Sequence, residues 1–388
     1  MPKPRILILT VAHGEAHWRM ATALEEALRQ IRPGAAVRVV EALQHCAVWF
    51  RLYYNSYQIP LKHCRWLWRR IENLQHRSAA TTPDWLYRRG AQRLFQFVKT
   101  FDPDVLVATE VGLCELAAIF KRESGARFRL VGLIPGVDAD RPWAQPEVDL
   151  FPVTRGRVVE ILEAASVPRS KILPCGMPIN PAFCSLPDRD VIRNRLHIQP
   201  DIPLLLVLFG GTGFGKPRCI LQELGKVRTP LQTVFITGKN QALESELRRL
   251  GHGSPRYRTL GWVDNMHEWM AAADLLLGKP GGSTVIEALA CGLPLLAFDP
   301  LPGDEERACL WIEKQHIGHC LTRPEDIAPT LERLLNDPEE MRRLRANALA
   351  LAQPRAAFDA AKAILNLVHS STPVNHIDAT HWLRQKVV

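Results

Sequence analysis

No run of about 18 apolar residues occurs anywhere in the 388-residue chain, so no segment is suited to span a bilayer. The nine cysteines, at positions 46, 64, 114, 175, 184, 219, 291, 309 and 320, form no C-x-x-C pair and no zinc spacing. That argues against a disulfide scaffold and for reduced thiols in a cytoplasmic protein. The glycine-rich string Phe209-Gly-Gly-Thr-Gly-Phe-Gly-Lys216 is not a Walker loop, because Pro217 stands where Ser or Thr is needed. It is a poor dinucleotide fingerprint as well. The ribose-binding acid due after the second strand is missing, and Ile236-Thr-Gly-Lys-Asn240 occupies its place. The N-terminal run Ile6–Thr10 is too short for a signal core and reads as a strand.

What is present is a balanced globular composition, 47% hydrophobic and 23% charged, which excludes disorder, collagen and coiled coil. At roughly 100–200 residues per domain, the length predicts two domains. A net charge of +9 favours a polyanionic partner: nucleic acid, an acidic membrane or a phosphorylated substrate.

Short apolar runs alternate with helical patterns. Arg5–Thr10 is followed by a turn and a helix over Trp18–Ile31, then come strands at Val37–Val40, Val105–Ala108, Leu130–Ile134 and Asp149–Val153. A second series begins at Pro203–Phe209 and continues through Leu231–Thr237, Arg258–Leu260, Ala273–Leu277 and Pro294–Phe298. Repeated strand–helix–strand units imply parallel sheets covered by helices. The fold class is therefore α/β: two doubly wound, Rossmann-like domains with a cleft between them, joined by the proline-rich bridge Gly176–Pro187. The expected division is 1–185, the first domain; 186–370, the second; and 371–388, a tail.

Two segments carry chemistry. Gly278-Lys-Pro-Gly-Gly-Ser-Thr-Val-Ile-Glu-Ala-Leu-Ala-Cys-Gly-Leu-Pro294 follows an apolar strand. Its Gly-Gly-Ser-Thr turn enters a helix over Val285–Ala290, and free amides at that positive end suit a diphosphate. Glu287, one turn further in, can accept both hydroxyls of a ribose. The other segment runs from Trp49 to Arg70. It holds Trp49, Phe50, Tyr53, Tyr54, Tyr57, Trp66 and Trp68 with Arg51, Lys62, Arg65, Arg69 and Arg70, and no acid. Amphipathic aromatics beside arginines suit an anionic headgroup layer; the alternative is a helix pair whose aromatics pack internally.

Together these strings resemble glycosyltransferase family 28, in the branch of monogalactosyldiacylglycerol synthases and processive diacylglycerol glucosyltransferases. Thr237-Gly-Lys-Asn-Gln-Ala-Leu243 is similar to that family's Cys-Gly-Arg/Lys-Asn-x-x-Leu segment. Gly261-Trp-Val-Asp-Asn-Met266 is similar to its uracil-wrapping loop, and Pro302-Gly-Asp-Glu305 to the Pro-Gly-Gln-Glu beside its donor sugar. Trp143–Asp149 and Lys171–Phe183 fit as well. The resemblance implies the GT-B fold, a UDP-sugar donor held by the C-terminal domain, and inverting transfer with no metal or other cofactor. The implied donor-binding residues are Gly211, Thr212, Gly213, Gly238, Asn240, Trp262, Val263, Met266, Lys279, Gly281, Gly282, Ser283, Thr284, Glu287, Gly303, Asp304 and Glu305. Gly14-Glu-Ala-His17 resembles the family's Gly-x-Gly-His, which makes His17 the candidate base, with His13 a rival in the same turn. Glu110 is the second catalytic candidate: it orients that base or binds an acceptor hydroxyl, or else merely starts a helix. Trp49, Tyr53, Tyr54, Trp66, Trp68, Arg69, Arg70 and Trp143 are the expected acceptor and membrane residues. Ala16, Asp304 and Ala308 depart from the family's Gly, Gln and Asn. A helix at Arg355–Val368 is implied to cross back to the first domain.

The function so implied is transfer of a hexose from a UDP-sugar to a diacylglycerol-type lipid hydroxyl, by a cytoplasmic protein peripheral to the inner face of the membrane. The alternatives are a polyprenyl-linked or soluble aglycone acceptor, or a non-catalytic UDP-sugar sensor. Nucleic acid is not expected as a partner, because the basic aromatic segment matches no recognition module.

Overall fold

The computed structural model describes residues 3–12, 15–56, 59–60, 64–78, 80–211, 213 and 216–369. The chain forms two units, Met1–Pro181 with Arg355–Val388, and Ala182–Pro354.

The first unit is built on four parallel strands in the order β2-β1-β3-β4: β1 (Arg5–Thr10), β2 (Ala36–Glu41), β3 (Val105–Ala108) and β4 (Arg129–Gly132). Ile6, Leu7, Ile8 and Leu9 of β1 are all fully buried. An unbroken apolar run is what a strand covered on both faces requires. Leu9 lies in register with Val40 on one side and Ala108 on the other. The order reverses at β1/β3, the point where doubly wound sheets place their ligands. A two-stranded piece, β5 (Phe151–Pro152) and β6 (Ile172–Leu173), adjoins this sheet.

Helix Glu15–Ile31 buries Met20, Leu24, Ala27 and Leu28 at helical spacing. The last described helix, Ala356–His369, packs on it. Its Ala356, Ala357, Ala360, Ala361 and Ile364 are fully buried; small residues at this spacing let the two helices approach closely. The helix belongs to the first unit, as the resemblance implied, so the expected boundary at 370 is corrected to Arg355. The proposed tail lies outside the described residues.

The second unit carries six parallel strands in the order β12-β11-β10-β7-β8-β9. They are β7 (Leu204–Leu208), β8 (Gln232–Ile236), β9 (Tyr257–Leu260), β10 (Leu275–Gly278), β11 (Leu295–Phe298) and β12 (Gly318–Leu321). Their order reverses at β7/β10. The glycine-rich string leaves β7, and Lys279–Gly282 leaves β10, so both strings singled out in the sequence meet at that reversal.

Candidate functional site

Helix Gly282–Ala290 begins three residues before its expected start, with Gly281 at its N-cap. The first intrahelical bond runs from the Val285 amide to the Gly281 carbonyl, 3.0 Å. The amides of Gly282, Ser283 and Thr284 therefore have no carbonyl behind them within the helix. All three residues are half-buried, and Lys279 is half-buried just ahead of them. Glu287, one turn in, is 4% exposed.

The other glycines do different work. Gly238 has φ +62°, and a Cβ there would lie 2.5 Å from the Gly211 carbonyl oxygen. At Gly213, φ +64°, a Cβ would lie 2.3 Å from that of Asn240. The Lys239 amide donates to Gly211 O at 3.0 Å, and Asn240 Nδ2 donates to Gly213 O at 3.0 Å. Asn240 also caps helix Gln241–Leu250 by accepting from the Leu243 amide. Gly211, Gly213, Gly238 and Asn240, expected to touch the donor, thus lock the turn after β7 to the turn after β8. Thr212 lies outside the described residues.

Beyond β9, Trp262 is exposed; its Nε1 donates to Asp264 at 2.8 Å, and the Lys239 ammonium sits 4.7 Å from its ring centroid. Val263 and Met266 are half-buried beside it. Gly303 caps helix Asp304–Lys314 with φ +98°. Asp304 is exposed and ion-paired with Arg307, while Glu305 accepts from the Leu301 amide at 2.6 Å.

In the first unit, His17 lies in the first turn of helix Glu15–Ile31, with its Nδ1 2.7 Å from the Thr109 carbonyl oxygen. A carbonyl only accepts, so Nδ1 carries the hydrogen, and Nε2 is the nitrogen that offers a lone pair in the neutral ring. Thr109 is itself fixed to β1 through its amide, 3.1 Å from Leu9 O, and its hydroxyl, 3.2 Å from the same atom. The group that orients the imidazole is therefore a backbone carbonyl at the β1/β3 reversal, for which side-chain motifs hold no signal. Glu110 is the N-cap of helix Val111–Ser124, accepts from the Leu113 amide at 3.0 Å, and receives the Tyr54 hydroxyl. His13 lies outside the described residues.

Behind Glu110, buried Glu115 accepts from the Thr81 amide at 2.9 Å and the Tyr87 hydroxyl at 3.0 Å. Burial pushes its pKa up from 4.5 to about 7 despite these bonds.

The basic aromatic segment divides. Trp49 (45%), Tyr53 (42%) and Trp66 (62%) are exposed, and so are Arg69 and Arg70, while Trp68 is half-buried. Two expected acceptor residues are corrected. Trp143, 3% exposed, belongs to the core of the unit, and half-buried Tyr54 turns inward to Glu110. Leu52, Leu67, Leu74 and Trp85 are exposed as well; as ordinary helix residues they form no motif. Among the described residues, no helix is long and apolar enough to cross a membrane.

Three Asp-x-Asp triplets, 102–104, 138–140 and 188–190, have the spacing of a sugar-nucleotide metal site. Asp104 accepts from the Arg5 amide at 2.8 Å. Asp138 pairs with Arg157 at 2.8 Å, and Asp188 caps helix Arg189–Arg195.

Residues 204–306 match the model of the glycosyltransferase family 28 C-terminal domain. The chain is 25% identical, over 96% of each chain, to the processive diacylglycerol beta-glucosyltransferase of Bacillus mycoides (strain KBAB4). It is 25% identical, over 95% of each, to that of Bacillus cereus (strain G9842). Among solved structures, MurG of Acinetobacter baumannii superposes with a TM-score of 0.63 at 16% identity, covering 94% of this chain and 100% of that one. The UDP-GlcNAc 2-epimerase of Neisseria meningitidis, solved with UDP-GlcNAc bound, gives 0.61 at 13% identity over 93% and 99%. As the motifs implied, the chain is a glycosyltransferase of the GT-B fold, and the match to the family 28 C-terminal domain falls within its second unit.

Proposed function

We propose that this glycosyltransferase moves a hexose from a UDP-sugar to the hydroxyl of a diacylglycerol-type lipid, with inversion, without a metal, at the cytoplasmic face of a membrane. The observation that carries the lipid acceptor is the exposure of Trp49, Leu52, Tyr53, Trp66 and Leu67 together with Arg51, Arg69 and Arg70, in the unit that bears His17. Exposed tryptophans among arginines gain from entering an anionic headgroup layer and have no such gain in water. The near-full-length likeness to diacylglycerol glucosyltransferases supports the same acceptor.

In this mechanism His17 Nε2 takes the proton of the acceptor hydroxyl while its oxygen attacks the anomeric carbon opposite the diphosphate. The bond from that carbon to the diphosphate breaks, and UDP leaves with the electron pair. The amides of Gly282, Ser283 and Thr284 and the hydroxyls of Ser283 and Thr284 then meet the new negative charge.

The test incubates purified protein with acidic vesicles containing diacylglycerol and a panel of UDP-sugars, with and without a chelator, and identifies products by mass. A hexosyl-diacylglycerol formed equally with chelator is expected. Product on a soluble or polyprenyl acceptor alone would move the acceptor elsewhere, and UDP-sugar binding with no transfer would leave a sensor. Exchanging Trp66 and Arg69 for Glu should lower binding to acidic vesicles at least about 10-fold in a sedimentation assay.

A further inference from the structure

The carboxyl edge of the second sheet carries an ion pair that the mechanism above leaves unused. β10 lies between β7 and β11, with Leu208, Gly278 and Ala297 side by side in register. Two residues further along each strand, Gly210, Pro280 and Asp299 follow. The chain that leaves β7 through the glycine-rich string reaches Lys216, the N-cap of helix Pro217–Leu224. The Lys216 ammonium lies 3.1 Å from Asp299 Oδ1 and 5.9 Å from the centroid of the Phe298 ring. Neighbouring strands are roughly 4.8 Å apart, so the pair joins chain that follows two strands roughly 10 Å apart, the loop after β7 and the end of β11. β10 lies between the two strands they follow, and from it Lys279-Pro280-Gly281 leads to the amides of Gly282–Thr284.

The two partners differ. The Asp299 side chain is 6% exposed and that of Lys216 is 51% exposed. Asp299 also sits at φ +53°, a left-handed conformation that aspartate tolerates better than most side chains. A carboxylate this sheltered is costly to leave without its cation, which keeps Lys216 in place. An ammonium has three N–H donors, so the Asp299 contact leaves capacity for a second anion.

We propose that Lys216, held by Asp299 as a positioning residue, donates to the diphosphate of the bound nucleotide. This rests on the reading of residues 182–354 as the UDP-sugar-binding unit. The contact strengthens as the bond to the anomeric carbon breaks and charge collects on the departing UDP, so its loss lowers kcat as well as affinity.

The test compares binding of UDP and of uridine to the full-length protein and to Lys216→Ala, Lys216→Arg and Asp299→Gly, by calorimetry for UDP and ligand-observed NMR for uridine. Loss of one charge-assisted hydrogen bond should weaken UDP about 10-fold or more in Lys216→Ala and leave uridine unchanged. Lys216→Arg should recover part of the loss. Asp299→Gly, which frees the backbone while removing the carboxylate, should weaken UDP less than Lys216→Ala. Unchanged UDP affinity in Lys216→Ala, or equal losses for UDP and uridine, would overturn the proposal while the UDP-sugar reading stood. Failure of the unaltered protein to bind UDP would overturn both.

Discussion

An imidazole can accept a proton only through a nitrogen that does not already hold one, and at His17 the Thr109 carbonyl settles which nitrogen that is. Removing the ring should lower turnover at least about 100-fold with UDP affinity kept, as steady-state kinetics beside calorimetry would show. Full turnover in His17→Ala would remove the residue from the mechanism. Glu115 makes a prediction of another kind. Its folded pKa, about 7, lies above the ordinary 4.5, so the folded state binds this proton more tightly than the unfolded chain does. The resulting stabilisation is complete below about 4.5 and is lost as pH rises through about 7, a change of up to about 3 kcal/mol. Glu115→Gln cannot titrate, so its stability measured in urea should lack this decline between pH 4.5 and 7. Parallel curves for the two proteins would refute the assignment. His17 was singled out through the resemblance of Gly14-Glu-Ala-His17 to a family motif, and its part in the reaction is the proposal made above. Its partner was not, since a main-chain oxygen carries no letter of its own, and Glu110 drew attention only as the nearest acid.

At the scale of elements, strands were the easier part to read. Runs such as Leu204–Leu208 are apolar on both faces, and a parallel sheet covered by helices demands that. Helix starts were harder: Gly281 and Gly282 read as a turn, yet Gly281 caps and Gly282 is already helical. The roles of the glycines were harder still. A glycine-rich turn signals close approach without naming what approaches, and at Gly238 it is the main chain of the neighbouring loop. Gly238→Ala should cost at least about 2 kcal/mol by urea unfolding, because a Cβ meets both an unfavourable φ and a carbonyl oxygen at 2.5 Å. It should also weaken UDP by disturbing the loop that carries Lys216. An alanine variant as stable as the parent would show that the two turns yield easily. Composition alone made the 49–70 segment stand out. Which of its aromatics face outward depends on helix phase against the core, which composition does not show, so Tyr54 turns inward against expectation; Trp143, in the short turn Arg141–Trp143, is likewise claimed by the core.

For the whole molecule, the division into two α/β units follows from the two series of strands and the proline-rich bridge, and the first crossing at residue 181 falls inside that bridge. The second crossing left a fainter trace, because an alanine-rich helix fits either unit equally well by pattern. A chain ending at Pro354 loses the burial of Ile364, Leu365 and four alanines against the first unit. At roughly 25 cal/mol per Å² of apolar surface, that loss is about 5 kcal/mol, comparable to the whole stability of a modest domain. Calorimetry of the truncated chain should show the first unit melting at least about 10 °C lower. The second unit's transition should stay in place, and a single unshifted transition would contradict the assignment of the helix.

Because Ala356–His369 completes a unit whose first strand is Arg5–Thr10, order of synthesis and order of folding must part company. A ribosome synthesises all of residues 182–354 before it makes the piece that seals the half it translated first. The nascent N-terminal half therefore waits with an uncovered apolar seam along helix Glu15–Ile31, and during that interval it is the part of the chain most in need of a chaperone.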